Sequence, residues 1–510
     1  MINYKKIYVL NVDDKIIDET YIKLLKNKWH FVIVDVNGVL NVLTKEKSFF
    51  EINSEKQFLS CYEEDIYYKT IISNKKMIVN ESDLKIYKKY IRQYKDIMQK
   101  NIYGNKYIFG SVAVKTEKGF ITTEVEELSH FFEIHILCLL NKELINEGIQ
   151  GEDICWKESY PLISPKLSIS IALRQIVKKD VLSELQRARS IKGVNFHIAR
   201  SVLSYSARAD IYQKIILDIC GKQCIDLIYT YWCTPATLAA VRLKQLSSIK
   251  VVTRFHGYDL YNERADTGWL PFRHEIGSLC DKLFFVSKAG KDYFNSNWNF
   301  ESKSKVSYLG CPDMQQDQTA KSNALHIASC SNLIPLKRVH LIIEALEQLP
   351  DSVEVSWIHI GGGELLPILQ EEASVRLATK PVRYKFYGAV PHDDVERIFK
   401  SENVNLFITT SATEGGVPIS LVEAFSMGIP AIGTDVGGIP EAIRDGYNGF
   451  LLRKNAAVSE ISLALMKYAL KSPEERAIFS LNARTTWEQH FNARDKAKEF
   501  CRDLQDLFIS

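Results

Sequence analysis

The sequence predicts an α/β protein of two domains, each a parallel sheet covered by helices on both faces. Three observations lead there. At 510 residues the chain is too long for one ordinary core. From 324 to 452, short β-branched or apolar runs alternate regularly with helical patterns, the signature of successive βα units. The first half opens on the same strand–helix–strand pattern and carries later strands of the same kind.

The elements follow in order. The first half begins with a strand at 6–12, a helix at 18–26 and a strand at 30–35. A polar, aromatic-rich stretch from about 45 to 170 breaks the alternation and reads as an insertion or subdomain. Within it lie a helix at 82–99 and a hairpin whose arms are 107–114 and 119–123. Strands at 225–229, 250–254 and 283–286 return to the sheet. Gly310, Pro312 and a polar run mark a linker at 308–323. The second half reads as strands 324–329, 353–360, 382–387 and 404–410, with helices 338–348, 364–377, 392–400 and 418–427. Segments 431–434, 440–444 and 449–452 complete the series before the terminal helices. The expected domains are 1–310 and 320–490, with a helix at 491–510 as a candidate to cross back to the first.

Composition narrows the function classes. Apolar content of 46% and charged content of 25% belong to a soluble globular protein. A net charge of +3 is too small to imply nucleic acid. The ten cysteines are scattered, and Cys220 and Cys224 make the one close pair, so reduced thiols in a cytoplasmic protein are expected rather than zinc. The first apolar run is shorter than the ~7–15 residues of a signal core. No stretch approaches the ~20 apolar residues of a membrane span. Any membrane association is then peripheral, on the cytoplasmic face. The Lys/Tyr-rich run 84–107 is a candidate surface for anionic lipid or a lipid-linked acceptor, a solvated face being the plainer alternative.

Ligands of doubly wound sheets bind outside the carboxyl ends of the strands, so the loops at 329–335 and 410–414 are expected to converge. The second loop leads into 411–452, the most informative segment. It sets Glu414 and Glu423 around the Gly415-Gly416 turn, and Pro418 suits the first helical position. Strand, glycine turn and helix N-terminus together make an anion site. Carboxylates there repel bare phosphate but suit an anion with hydroxyls to grip, such as a nucleotide sugar.

Segment 411–452 resembles the donor-binding signature of the retaining glycosyltransferases of family 4, which have the GT-B architecture of two Rossmann-like domains facing across a cleft. The resemblance is carried by Glu423-Ala424, Gly428, Pro430, Gly437-Gly438, Glu441, Gly446, Gly449 and Leu451. Eight residues, not the family's seven, separate Glu414 from Glu423. Either the turn holds one extra residue or Glu414 sits one position upstream. The resemblance implies that Glu423 binds the donor ribose and Glu414 touches the donor sugar near the reacting carbon. It further implies that the amides of Gly415, Gly416, Val417 and Pro418's helix hold sugar hydroxyls or phosphate.

Residues 329–340 resemble the family's second donor motif, in which an arginine and a lysine neutralise the diphosphate. Lys337 is kept, Asn332 takes the arginine's place, and Arg338 stands where glycine is common, a candidate second cation. Tyr387, Gly388 and Val390 occupy the place where the base passes the backbone, and Gly361-Gly362-Gly363 is either a nucleotide contact or a tight turn. His256, Gly257 and Asp259 resemble the segment on the acceptor side, where His256 joins Lys337 and Glu414 as the catalytic set. Tyr229–Trp232 can stack on a sugar or pack in the core.

The implied reaction moves a hexose from a UDP- or GDP-sugar to a hydroxyl of a glycan or lipid-linked glycan with retention, as in bacterial surface-polysaccharide and lipopolysaccharide assembly. No metal and no cofactor beyond the donor are implied, and Asp13-Asp14 reads as turn residues rather than a metal site. A catalytically silent GT-B partner of another transferase and a nucleotide-sugar epimerase are the alternatives.

Overall fold

The computed structural model describes residues 5–11, 107–110, 124, 128, 132–138, 154–159, 169–193, 195–222, 225–314 and 324–508. Two compact units emerge: one contains the first sheet, the other residues 285–294 and the described residues from 306 onward. Among the described residues the first sheet comprises β1 (Lys5–Asn11), β2 (Tyr107–Gly110), β3 (Phe132–Cys138), β4 (Ile154–Ser159), β5 (Leu227–Thr230), β6 (Lys250–Phe255), β7 (Lys282–Phe285) and β8 (Ser304–Val306). Their spatial order is β4-β3-β1-β2-β5-β6-β7-β8, and the pairs from β4 to β6 are parallel.

Two expectations change here. The stretch 45–170 is not separate from the sheet, because it supplies β2, β3 and β4. Tyr107–Gly110 is not the arm of a hairpin; it lies parallel between β1 and β5. Parallel partners arrive from distant sequence through crossovers, so a turn beside a strand says little about its neighbours. The segments expected at 18–26, 30–35, 82–99 and 119–123 lie outside the described residues, as do Asp13-Asp14 and all of the basic run 84–107 but Tyr107.

The second sheet comprises β9 (Leu325–Cys330), β10 (Val355–Ile360), β11 (Val382–Gly388), β12 (Leu406–Thr409), β13 (Ala431–Thr434) and β14 (Gly449–Leu452). All five neighbouring pairs are parallel, in the order β11-β10-β9-β12-β13-β14. Alternate residues along each strand enter opposite cores. Ala328, Ile358 and Phe407 pack on one face with the helices Ile419–Ser426 and Pro473–His490. Ile327, Trp357, Leu406 and Ile408 pack on the other with His340–Glu347 and Val458–Ala469. Burial on both faces explains the near-continuous apolar runs of these strands. Strand order reverses between β9 and β12, which opens a crevice beyond their carboxyl ends. The helix Ala493–Asp506 belongs to this second unit. No helix among the described residues is long and apolar enough to cross a membrane.

Candidate functional site at the β9/β12 switch point

The loops following β9 and β12 are stitched together by backbone and side chain. Ala412 N–H donates to Leu336 O at 2.8 Å. The Thr410 hydroxyl reaches the carbonyls of Lys337 and Arg338 at 3.1 and 3.0 Å. Ser420 Oγ, in the first turn of Ile419–Ser426, donates to Cys330 O at 3.0 Å. The expected convergence of the two loops is therefore the geometry found.

Lys337 ends a 3-10 turn, Pro335–Lys337, and its Nζ lies 2.5 Å from Glu414 Oε1 with both side chains partly exposed. A cation and a carboxylate thus stand side by side at the crevice mouth. Asn332 is exposed in the same loop. Arg338 departs from expectation as a second cation. Its backbone is left-handed, φ 48°, and its guanidinium donates to Thr410 O at 2.7 Å and to Ser411 O and Lys454 O, each at 2.9 Å. These carbonyls lie just beyond β12 and β14, so the arginine ties the ends of the two strands together.

Three turns interlock around Glu414. A Cβ on Gly437, whose φ is +53°, would fall 2.3 Å from Glu414 O, and one on Gly438 would fall 2.4 Å from Val417 N. Only glycine permits that approach. Ser287 Oγ donates to Gly415 O at 2.8 Å, and Gly438 N–H to Gly416 O at 3.2 Å. Pro418 is the N-cap of Ile419–Ser426, one position before the expected place, and no side chain among the described residues caps this helix. Its first N–H groups are left for another acceptor. The half-buried side chain of Val417 packs against the core. Glu441 serves the scaffold, accepting Lys288 N–H at 2.7 Å, Ala289 N–H at 2.9 Å and Tyr308 O–H at 2.8 Å and so capping the helix Lys288–Trp298.

Glu423 is 3% exposed, and His392 Nε2 lies 2.6 Å from its Oε1. Sequence reasoning missed His392; a histidine opening a surface helix carries no signal until its partner is known. Tyr387 and Val390 lean on the core, and the Tyr387 hydroxyl bonds Glu402. Gly388, with φ 70°, gives its carbonyl to Gly361 N–H at 2.8 Å. The Gly361–Gly363 turn braces the neighbouring loop. A Cβ on Gly361 would fall 1.9 Å from Ser331 O, and Leu333 N–H donates to Gly362 O at 2.8 Å.

Beneath that loop runs a buried chain of polar groups. Trp357 Nε1–H donates to Ser329 Oγ at 3.0 Å, Ser329 Oγ–H to His359 Nδ1 at 2.8 Å, and His359 Nε2–H to Ser331 O at 3.1 Å. Burial holds the His359 imidazole neutral, pushing its pKa down to about 4. The unfolded chain takes up this proton near pH 6.5 and the folded one only near 4. The stability His359 contributes is therefore complete above about 6.5 and is lost as pH falls toward 4, about 3 kcal/mol in all. Urea midpoints measured between pH 7 and 4 should fall steeply, and less steeply in His359→Gln. His256 acts in the same direction, so the difference between the two chains isolates His359.

In the first unit, β5 and β6 end side by side in Tyr231-Trp232 and His256. His256 stacks on Tyr231 at 4.7 Å and lies 5.1 Å from Trp232. Both its ring nitrogens are buried without a hydrogen-bond partner among the described residues. Burial, then the Arg254 charge, pushes its pKa well below the usual value, so the ring is a neutral donor and acceptor at neutral pH. Asp259 takes no such open place. Its carboxylate accepts Cys233 N–H at 2.8 Å and His256 N–H at 2.9 Å, fixing the histidine's backbone. Gly257 O accepts the N–H groups of Leu260 and Tyr261 and closes the turn. Among the described residues no group of three or more His, Cys, Asp or Glu could hold a metal ion.

Residues 312–486 match the family model described as glycosyl transferases group 1. The amylovoran biosynthesis glycosyltransferase AmsK of Erwinia amylovora is 27% identical over 409 residues, covering 76% of this chain and 96% of its own. The UDP-Gal:alpha-D-GlcNAc-diphosphoundecaprenol alpha-1,3-galactosyltransferase of Escherichia coli is 23% identical over 385 residues, covering 72% and 90%. Among solved structures, a glycosyltransferase from Rickettsia africae matches with a TM-score of 0.55 at 15% identity, over 78% of this chain and 97% of that one. That likeness concerns the fold, which is GT-B.

Proposed function

We propose that the chain is a glycosyltransferase of polysaccharide assembly that moves a hexose from a UDP- or GDP-sugar to a hydroxyl of a glycan or lipid-linked glycan. The observation that carries this reading is the Lys337–Glu414 pair beside an uncapped helix N-terminus at the switch point. The arrangement suits a diphosphate joined to a sugar: cation and open N–H groups for the phosphates, carboxylates for hydroxyls. Lys337 neutralises the departing nucleoside diphosphate, a role that needs no metal. Glu414 orients the sugar, Glu423 the ribose, and the backbone near Tyr387, Gly388 and Val390 passes the base. The neutral His256, its ring unpartnered among the described residues, bonds a sugar or acceptor hydroxyl. Retention of configuration follows the family resemblance, with departure and attack on one face. The two relatives above act, by their names, in amylovoran biosynthesis and on a diphosphoundecaprenol-linked sugar, which supports a glycan or lipid-linked acceptor.

The test is transfer from a panel of UDP- and GDP-hexoses by the purified chain. Activity should appear with one nucleotide class and be lost in Glu423→Ala. The matching nucleoside diphosphate at about 100 times its Kd should stabilise the protein by about 2.7 kcal/mol. Stabilisation by neither nucleotide would overturn the donor site, and interconversion of donors without an acceptor would point to an epimerase.

A further inference from the structure

We infer that His392 is a positioning residue for donor recognition: it clamps one oxygen of Glu423 so that the other is presented to the ribose hydroxyls. The inference rests on the donor-site reading above and adds a residue that reading does not contain. Glu423 lies in the helix beside the end of β9, almost wholly buried. A buried carboxylate is tolerated when paired and hydrogen-bonded, and it points wherever its strongest partner holds it. Its side chain has that partner in His392 alone among the described residues, at 2.6 Å through Oε1. Its Oε2 accepts no hydrogen bond from them.

The donor of this clamp comes from the right place. His392 begins the helix His392–Ser401, four residues after Gly388 ends β11. The segment between them is where the base is proposed to pass. The histidine is partly exposed and the glutamate is not. The pair therefore spans from the rim of the crevice to its floor, and a ribose between base and diphosphate would meet Oε2. Being held from one side, the carboxylate has one oxygen to offer and a fixed direction in which to offer it. Truncating the imidazole leaves the charge buried without its partner, so the carboxylate either rotates or draws in water. In both cases the directed acceptor is lost while the phosphate contacts at Lys337 remain.

The experiment is a double-mutant cycle between protein and ligand. Calorimetric Kd values are measured for UDP and GDP and for their 2′,3′-dideoxy analogues, with the unmodified chain, His392→Ala and His392→Gln. A hydrogen bond to a charged group corresponds to about 10–100-fold in affinity. The unmodified chain should therefore prefer the ribonucleotide by about that factor. His392→Ala should lose most of the preference, with the dideoxy analogue binding within about twofold of its original Kd. His392→Gln, whose amide N–H can still reach Oε1, should restore part of it. Full preference retained by His392→Ala, or equal loss of both ligands, would overturn the clamp while leaving the donor site standing. Failure of the unmodified chain to bind any nucleoside diphosphate would overturn both.

Discussion

Replacing Lys337 by alanine is expected to lower kcat about 10²–10³-fold and to leave the protein folded. The factor is that of removing one fixed charge aimed at a developing anion. The residue ends a 3-10 turn whose backbone is already tied to β12, so the turn keeps its place without the side chain. Its ion pair with Glu414 is partly exposed, and such pairs contribute about 0–1 kcal/mol to stability. The catalytic loss should exceed the stability loss for a second reason. Without the ammonium group, Glu414 stands unneutralised where the diphosphate must gain charge. Lys337→Arg keeps the charge but not the point geometry and should recover part of the rate. Single-turnover rates at saturating donor, with urea midpoints alongside, separate chemistry from folding. An unchanged kcat in Lys337→Ala would move leaving-group stabilisation elsewhere.

A large stability effect is expected at Gly437. Alanine there meets Glu414 O at 2.3 Å, Glu414 C at 2.7 Å and Glu414 Cβ at 2.9 Å, mostly backbone that cannot swing away. Its φ of +53° adds the left-handed cost of about 1–2 kcal/mol, and overpacking adds about 1–3 kcal/mol. A loss of about 3 kcal/mol or more follows. Gly446→Ala provides the control. Its φ is +70°, yet a Cβ would meet nothing within 4 Å, so only the conformational cost of about 1–2 kcal/mol applies. Comparing urea midpoints of the two variants separates steric interlock from backbone strain. Equal losses would mean that the turn at Glu414 yields.

Much of the second unit was legible because its strands are buried on both faces and its turns carry glycine or proline. Val382–Gly388 and Gly449–Leu452 fall within a residue of where their composition puts them. Convergence of the Lys337 and Glu414 loops followed from parallel topology alone. What escaped was of two kinds. Partners separated by many crossovers leave no local trace, which is why β2, β3 and β4 read as an insertion. Side-chain destinations are equally silent: Arg338 turns toward three carbonyls, Asp259 toward two amides, Glu441 toward a helix end, and His392 toward Glu423. A charged residue in a motif looks the same in sequence whether it meets substrate or backbone.

The tight glycine contacts also set how this unit can be re-engineered. With Gly361, Gly437 and Gly438 each seated against a neighbouring main chain, these turns have no room to be redrawn by enlarging a side chain. Ala389, exposed and in ordinary van der Waals range of Gly362, is under no such restriction. Libraries meant to exchange one nucleobase for another should therefore vary 389–391 and leave His392 and the glycine framework untouched.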